Sequence, residues 1–309
     1  MTSSVTPPTC DDVNAGHWNR AILDWFRLVR RDLPWRATGV SGWQILISEI
    51  MLQQTPVSRV VQPWQSWVQR WPVPSAMAAE TGGEVLRAWG KLGYPRRALR
   101  LHECAKVLAA EHDDVVPHDV GTLLGLPGIG DYTARAVACF AYGQAVPVVD
   151  TNVRRVVARA IHGREPGNPS KADLADAEAL LPRDSAGRPT TEAPEFSAAL
   201  MELGALVCTA RNPKCEVCPV SDSCRWLARG RPSYDGPARR TQKYEGTDRQ
   251  ARGRLLDVLR GSSGPVERPA LDIAWTRDPA QRDRALDSLL TDGLVELTDD
   301  GLFCLAGEG

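Results

Sequence analysis

Residues 126–150, LPGIGDYTARAVACFAYGQAVPVVD, constrain the fold more than any other stretch, because they set a glycine hairpin, a helix and one isolated acid in succession. Gly128 and Gly130 flank Ile129 after Pro127. Two residues without a Cβ let the backbone turn tightly and bring its amides close to an external anion. Asp131 is expected to cap the following helix, whose Ala134, Ala136, Ala138 and Ala141 suit close packing against neighbouring helices. The start of that helix then faces the same anion. Taken alone, Gly-x-Gly after proline is a turn far more often than a phosphate site, so the rest of the chain has to decide.

With 309 residues, 43% of them hydrophobic, the chain is long enough for two or three domains with real cores. No apolar run approaches the ~18 residues that span a bilayer. The opening MTSSVTPPTCDD lacks the basic start and apolar centre of an export signal, which leads to the expectation of a cytoplasmic protein with a loose tail over 1–16. The net charge of -1 conceals a split: from Glu245 onward there are 13 acidic and 8 basic side chains, before it 25 and 29. The basic front part gives mild support to a polyanionic partner, and a protein that grips phosphates through backbone amides needs little excess charge.

Helical periodicity dominates up to residue 244. Ile22, Trp25, Phe26 and Val29 form one stripe over 18–31, which Pro34 stops. Trp43, Ile47, Ile50 and Met51 recur over 42–54 until Thr55-Pro56 breaks the pattern, and a further helix runs toward Trp71-Pro72. Helices are also predicted over 83–89, 96–112, 120–124, 152–161, 171–181 and 194–207, and strand patterns are scarce, so this part is all-α. The stretches 184–194 and 229–245 have loop composition, the second marking a domain boundary. Beyond it, helices over 249–260 and 281–290 precede short strands at 294–297 and 302–305 around Asp300-Gly301, a small α+β module over 246–309 of winged-helix-like pattern.

Four of the eight cysteines cluster: Cys208, Cys215, Cys218 and Cys224. Four thiolates at such spacing hold either zinc or a [4Fe-4S] cluster, and a disulfide reading is weak without an export signal. Cys10, Cys104, Cys139 and Cys304 read as ordinary thiols. Arg211, Lys214 and Arg225 beside the cluster suit either a phosphate backbone or a solvated face. Glu49 lies in ISEIMLQQT among Ile47, Ile50, Met51 and Leu52. It is either a carboxyl at the solvent edge or one desolvated by these neighbours, whose pKa then rises toward that of a general acid. Asp150 follows Val146-Pro147-Val148-Val149 and precedes Thr151-Asn152. A helix N-cap is its plain reading; the capped, ionised carboxylate is equally able to stabilise a nearby cation.

The hairpin, two carboxylates and four cysteines, in order with DLPWR (32–36), SEIMLQQT (48–55), KLGYPRRA (91–98), VVDTNVRRV (148–156) and ELGALVC (202–208), resemble the helix-hairpin-helix DNA glycosylases, and among them the MutY-type adenine glycosylases, over roughly 18–226. The resemblance implies an iron-sulfur module from 17–36 and 149–228, a six-helix module carrying the hairpin over 37–148, a linker over 229–245 and the separate C-terminal module. It moves the cysteine assignment from zinc to [4Fe-4S], and it adds a monovalent cation on the hairpin carbonyls. The implied partner is duplex DNA with adenine opposite 8-oxoguanine or guanine, the implied state a monomer without membrane association.

Residue by residue, the resemblance makes Glu49 the acid that protonates adenine N7, and Asp150 the carboxylate that stabilises the cation-like sugar, with a transient covalent adduct by family analogy. Asn152 and Tyr132 position water and the catalytic groups. Trp35, Arg36 and Leu52 line the adenine pocket. Gln54 and Leu92 fill or wedge the vacated stack, Thr55 contacts the 8-oxoguanine, Tyr94 belongs to the DNA-contacting segment, and Gly128 and Gly130 hold a phosphate. Relatives such as endonuclease III place a Schiff-base lysine where Tyr132 stands; a phenol cannot form that imine, so a monofunctional glycosylase is expected, with any strand cleavage weak and secondary. Two departures are visible. Lys91-Leu92-Gly93-Tyr94-Pro95 replaces Gly-Leu-Gly-Tyr-Tyr, and the final 65 residues show no Nudix-like pattern. The competing readings are a mismatch or damaged-pyrimidine glycosylase of the same superfamily and a non-catalytic iron-sulfur DNA-binding or redox protein.

Overall fold

The computed structural model describes residues 15–237 and 244–309. The tail expected over 1–16 therefore lies, except for its last two residues, outside the described part, as do Cys10 and residues 238–243 of the expected linker. None of the described helices is long and apolar enough to cross a membrane. The described chain is mainly α-helical, with one two-stranded antiparallel sheet near its C-terminus. It forms two compact units, one from residues up to 36, 118–124 and 130–238, the other from 37–117, 125–129 and 239–309.

In the first unit, the Ala15–Val29 helix lays Trp18, Ile22, Leu23 and Phe26 against Val153, Val156 and Val157 of the Thr151–Ala160 helix and Phe196, Leu200 and Leu203 of the Ala193–Leu206 helix. The expected stripe from Ile22 to Val29 is thus buried at its first and third positions, while Val29, at the helix end, is exposed. A second apolar patch joins Ala136 and Cys139 of the Asp131–Tyr142 helix to Val148, with Tyr132 and Met201 packed on it. Asp131 does not cap this helix. Gly130 is the N-cap, in extended backbone, and Asp131 is already helical, where it pairs with Arg135 four residues on (Nε to Oδ1, 3.0 Å).

The second unit is organised around the Gly42–Leu52 helix, whose residues from Ile45 to Met51 are all buried. A helix apolar around its whole circumference belongs in an interior. Ser41 starts it with a capping box: its hydroxyl accepts from the Gln44 amide (3.3 Å), and the Gln44 side chain accepts from the Ser41 amide (2.9 Å). Trp67 of the Val57–Arg70 helix meets Trp71 and Trp89 edge-on, with ring centroids 4.9 and 5.4 Å away. The short helices Pro74–Ala78 and Arg268–Asp272 escape sequence periodicity because five residues complete barely more than one turn.

The C-terminal segment forms the helices Asp248–Gly261 and Pro279–Thr291, then the hairpin Val295–Leu297 with Phe303–Leu305, in register Val295 to Leu305. It packs within the second unit. The Gly83 amide donates to the Ala306 carbonyl (2.6 Å), Arg260 donates to the Leu86 carbonyl (3.1 Å), and Arg87 pairs with Glu308 (Nη2 to Oε2, 2.9 Å). A Cβ on Gly83 would overlap the Glu308 side chain, which would have to swing aside.

Candidate active site and cluster loop

The second unit carries Glu49, Leu52, Gln54, Thr55, Leu92, Tyr94 and Gly128. Glu49 is 5% exposed, flanked on its helix by Ser48 and Ile50, both buried. A carboxyl in such surroundings is desolvated rather than at a solvent edge. The helix ends at Leu52, and the chain turns through Gln53, Gln54 and Thr55 before Pro56. Gln54 is exposed and has φ 54°, whereas Thr55 is buried, its hydroxyl donating to the Gln53 carbonyl (3.3 Å) and accepting from Arg97 Nη2 (3.1 Å). Leu52 is half-buried, and Leu92 is buried instead of projecting. Tyr94 is 45% exposed, has φ 48°, and has the guanidinium groups of Arg97 and Arg249 over its ring, each 5.5 Å from the centroid. Gly128 has φ 76°, and a Cβ there would meet the Arg100 Cβ at 2.7 Å, so both conformation and packing demand glycine. At Gly130 neither does: φ is -97° and a Cβ would find open space, leaving the backbone amides at the helix start approachable.

The first unit carries Trp35, Arg36, Gly130, Tyr132, Asp150, Asn152 and the four clustered cysteines. Asp150 is the N-cap of the Thr151–Ala160 helix. Its Oδ1 accepts from the amides of Asn152 (2.8 Å) and Val153 (2.7 Å), and its Oδ2 from Asn152 Nδ2 (2.6 Å). Burial pushes the Asp150 carboxyl above the usual aspartate range, against the pull of these hydrogen bonds and of the Arg155 charge. Asn152 is held in turn: its Oδ1 accepts from Arg155 Nη2 (2.7 Å), and Arg155 also donates to the carbonyls of Gly204 (2.6 Å) and Cys208 (2.5 Å). Gly204 lies so close that a Cβ there would stand 2.6 Å from the Asn152 Cβ. Tyr132 is half-buried in the first turn of its helix.

Trp35 is buried, and Arg36 turns to Glu202 (Nη2 to Oε2, 3.1 Å) beneath the Phe26 ring. Glu202 is 1% exposed and also binds Arg31 (Nη2 to Oε2, 2.7 Å). Burial alone would raise its pKa; Arg31 and Arg36 outweigh that and hold the carboxyl down at about 2. Sequence reasoning assigned no role to Arg97, Arg155 or Glu202. Their signal was available in part, as charged residues inside the shared segments KLGYPRRA, VVDTNVRRV and ELGALVC.

Cys208, Cys215, Cys218 and Cys224 line one cavity together with Val156, Leu203, Val207, Val220, Trp226 and Leu227. The donor set is four soft thiols in an apolar shell, which suits an iron-sulfur cluster. Burial raises the thiols of Cys208, Cys218 and Cys224, that of Cys218 to about 12, and Arg159 opposes this at Cys208 by donating to Sγ at 3.6 Å. The loop is tied to the core by Trp18, whose Nε1 donates to Ser223 Oγ (2.8 Å), and by Arg225, which donates to the Ile161 carbonyl (2.9 Å).

Fold and site together define a base-excision repair protein of the helix-hairpin-helix class. Residues 47–178 match the model of the HhH-GPD superfamily base excision DNA repair protein, and residues 208–224 that of the iron-sulfur binding domain of endonuclease III. Cys208, Cys215, Cys218 and Cys224 all lie within this matched region, which makes the cofactor a [4Fe-4S] cluster. The adenine DNA glycosylase of Mycolicibacterium smegmatis is 66% identical over 288 residues, 93% of this chain and 96% of that protein. That of Mycobacterium tuberculosis is 64% identical over 290 residues, 93% of each, and the human one 38% identical over 214 residues, 66% of this chain and 38% of the human protein. The chain belongs to the adenine DNA glycosylase family. Among solved structures, a thermostable thymine-DNA glycosylase shares 30% identity at a TM-score of 0.63, covering 70% of this chain and 97% of that one. Endonuclease III in a non-covalent DNA complex shares the fold, at 21% identity and a TM-score of 0.58, over 71% of this chain and all of that one.

Proposed function

We propose that the chain, acting as a monomer in the cytoplasm, removes adenine mispaired with 8-oxoguanine or guanine from duplex DNA. The mispaired adenine leaves the stack, at a cost of a few kcal/mol that a mismatch reduces. Glu49 protonates N7, which turns a poor leaving group into a good one. Asp150, fixed by its cap and by Asn152, faces the electron-poor sugar carbon electrostatically or through a transient adduct that water then resolves. Tyr132 and Asn152 order the water and the reacting groups. Trp35, Arg36 and Leu52 border the base, Gln54 and Leu92 support the vacated stack, and Thr55 and Tyr94 contact the DNA. Gly128 and Gly130 offer amides to a phosphate, with a monovalent cation on the hairpin carbonyls. Tyr132 in place of an imine-forming lysine makes the enzyme a glycosylase that does not cut the strand.

The observation that carries this reading is the buried carboxyl of Glu49 in an apolar helix, which binding alone would not require. Glu49→Gln keeps the shape and removes the acid. The expected outcome is retained duplex affinity with adenine release slowed by at least about 10²-fold, the span of general acid catalysis; undiminished release would remove Glu49 from the mechanism. A second reading, excision of thymine opposite guanine, is favoured by the likeness to the thymine-DNA glycosylase structure. Base release measured on A:8-oxoguanine, A:G, A:C and T:G duplexes separates the two, thymine without adenine being the outcome that reverses the assignment.

A further inference from the structure

Arg97 stands in the first turn of the Arg96–Glu111 helix, and its guanidinium gathers acceptors from two separate segments of the second unit. Nη1 donates to the carbonyls of Ile50 (2.7 Å), Met51 (3.2 Å) and Gln53 (2.5 Å), the unsatisfied C-terminal end of the Gly42–Leu52 helix and the turn that follows. Nη2 donates to Thr55 Oγ1 (3.1 Å) and to the Gly93 carbonyl (3.1 Å). The planar group also lies over two rings, 5.1 Å from Trp89 and 5.5 Å from Tyr94. Its hydrogen-bond acceptors are four carbonyls and a hydroxyl, with no carboxylate among them. The cation faces the negative end of a helix dipole and two π-faces, while burial lowers its pKa to about 10; the arrangement depends on a planar fork that lysine, a point charge, cannot copy.

The two segments share a second property. Gln54 (φ 54°) and Tyr94 (φ 48°) both hold a left-handed backbone that side-chain-bearing residues rarely adopt, and both are exposed. Such conformations cost free energy and persist only where the surroundings over-determine them. Here one guanidinium binds the carbonyl just before Gln54, the hydroxyl just after it, and the carbonyl just before Tyr94. It thereby holds the Thr55 hydroxyl in one orientation, with its proton directed to the Gln53 carbonyl.

We infer that Arg97 is the positioning residue that sets the Gln54–Thr55 turn and Tyr94 against the DNA, and through Thr55 governs discrimination of the base opposite the adenine. The inference rests on the adenine-release reading above. It concerns how that reading's DNA contacts are aimed, and assigns Arg97 no part in breaking the glycosidic bond.

The test compares Arg97→Met and Arg97→Lys with the parent, holoprotein throughout, in single-turnover adenine release from A:8-oxoguanine, A:G and A:C duplexes, alongside thermal melting. Arg97→Met is expected to reduce the preference for 8-oxoguanine over cytosine by at least about tenfold, the loss falling mainly on the 8-oxoguanine duplex. Arg97→Lys, which keeps charge but loses the fork, is expected to recover less than half of that preference on a logarithmic scale. Equal proportional losses on all three duplexes, or full rescue by lysine, would overturn the inference and leave Arg97 a structural residue. If the methionine variant does not fold, the lysine variant alone decides by the same preference ratio. If the parent releases no adenine from any duplex, it is the adenine reading that fails, and the two failures are thus distinguishable.

Discussion

Gly204→Ala probes how tightly the cap at Asp150 has to be held. The added methyl would sit 2.6 Å from the Asn152 Cβ, 2.7 Å from its carbonyl oxygen and 2.8 Å from its carbonyl carbon, where ordinary contact begins near 3.4 Å. Two of those atoms are backbone, so the Ala193–Leu206 and Thr151–Ala160 helices have to part by about 1 Å, and overpacking of this kind costs roughly 1–3 kcal/mol. Opposing it, alanine gains up to about 1 kcal/mol over glycine within a helix. The net stability change is therefore modest, roughly 0–3 kcal/mol, which at this chain length lowers the melting temperature by a few degrees. Activity is more exposed. Asn152 donates to Asp150 Oδ2 and accepts from Arg155, so a shift of the helix start re-aims the carboxylate directly. A misplacement of about 1 Å at a catalytic group costs on the order of 10²-fold in rate. Single-turnover adenine release at saturating enzyme, at a temperature where melting shows the variant fully folded, should fall by about that factor. Release within twofold of the parent would refute the coupling between this helix contact and Asp150.

Three further outcomes follow from the geometry. Glu202→Gln should lower the melting temperature at neutral pH. Because Arg31 and Arg36 depress the Glu202 carboxyl from 4.5 to about 2, its stabilisation, roughly 3 kcal/mol, is complete above pH 4.5 and fades as pH falls toward 2. A difference between parent and variant that does not shrink below pH 4.5 would contradict this. The purified protein should be brown, with broad absorption in the visible blue and about four iron atoms per chain, and Cys218→Ser should lose both; a colourless zinc-loaded protein with equal DNA affinity would count against iron. Glu308→Ala removes the partner of Arg87, a pair 16% and 22% exposed, and should cost about 1 kcal/mol, seen as a drop of about 2 °C in melting temperature. No change would mean that the Gly83–Ala306 backbone contact alone anchors the chain end.

Much of the fold was legible because apolar spacing declares helices wherever they are long. The Gly42–Leu52, Arg96–Glu111 and Ala193–Leu206 helices each lie within two residues of their expected ends. Of the five-residue helices, Val120–Leu124 was expected at its full length, whereas Pro74–Ala78 and Arg268–Asp272, with less than two turns of repeat, were missed. The cap of the Asp131–Tyr142 helix was misplaced by one residue, because aspartate is a good cap and glycine is also accepted; only the backbone angles show that the helix starts after Gly130. The resemblance implied an iron-sulfur module already split in the chain, 17–36 with 149–228, and a separate C-terminal module; the compact units join 130–238 and 118–124 to the first helix and group 239–309 with 37–117.

What the sequence displays by itself is the set of candidate groups: two acids, a glycine hairpin, four thiols spaced for zinc or a cluster, and a tyrosine that cannot form an imine. Residue type and spacing suffice for these, since proton affinity, donor softness and the freedom of glycine are properties of single residues and their near neighbours. What only the tertiary structure decided is which groups hold them. Arg155 reaching the carbonyls of Gly204 and Cys208, Glu202 gathering Arg31 and Arg36, and Arg97 reaching Thr55 are partnerships over long sequence separations. Such pairings are set by how helices pack, and a guanidinium in the sequence gives no sign of which carbonyl it will find.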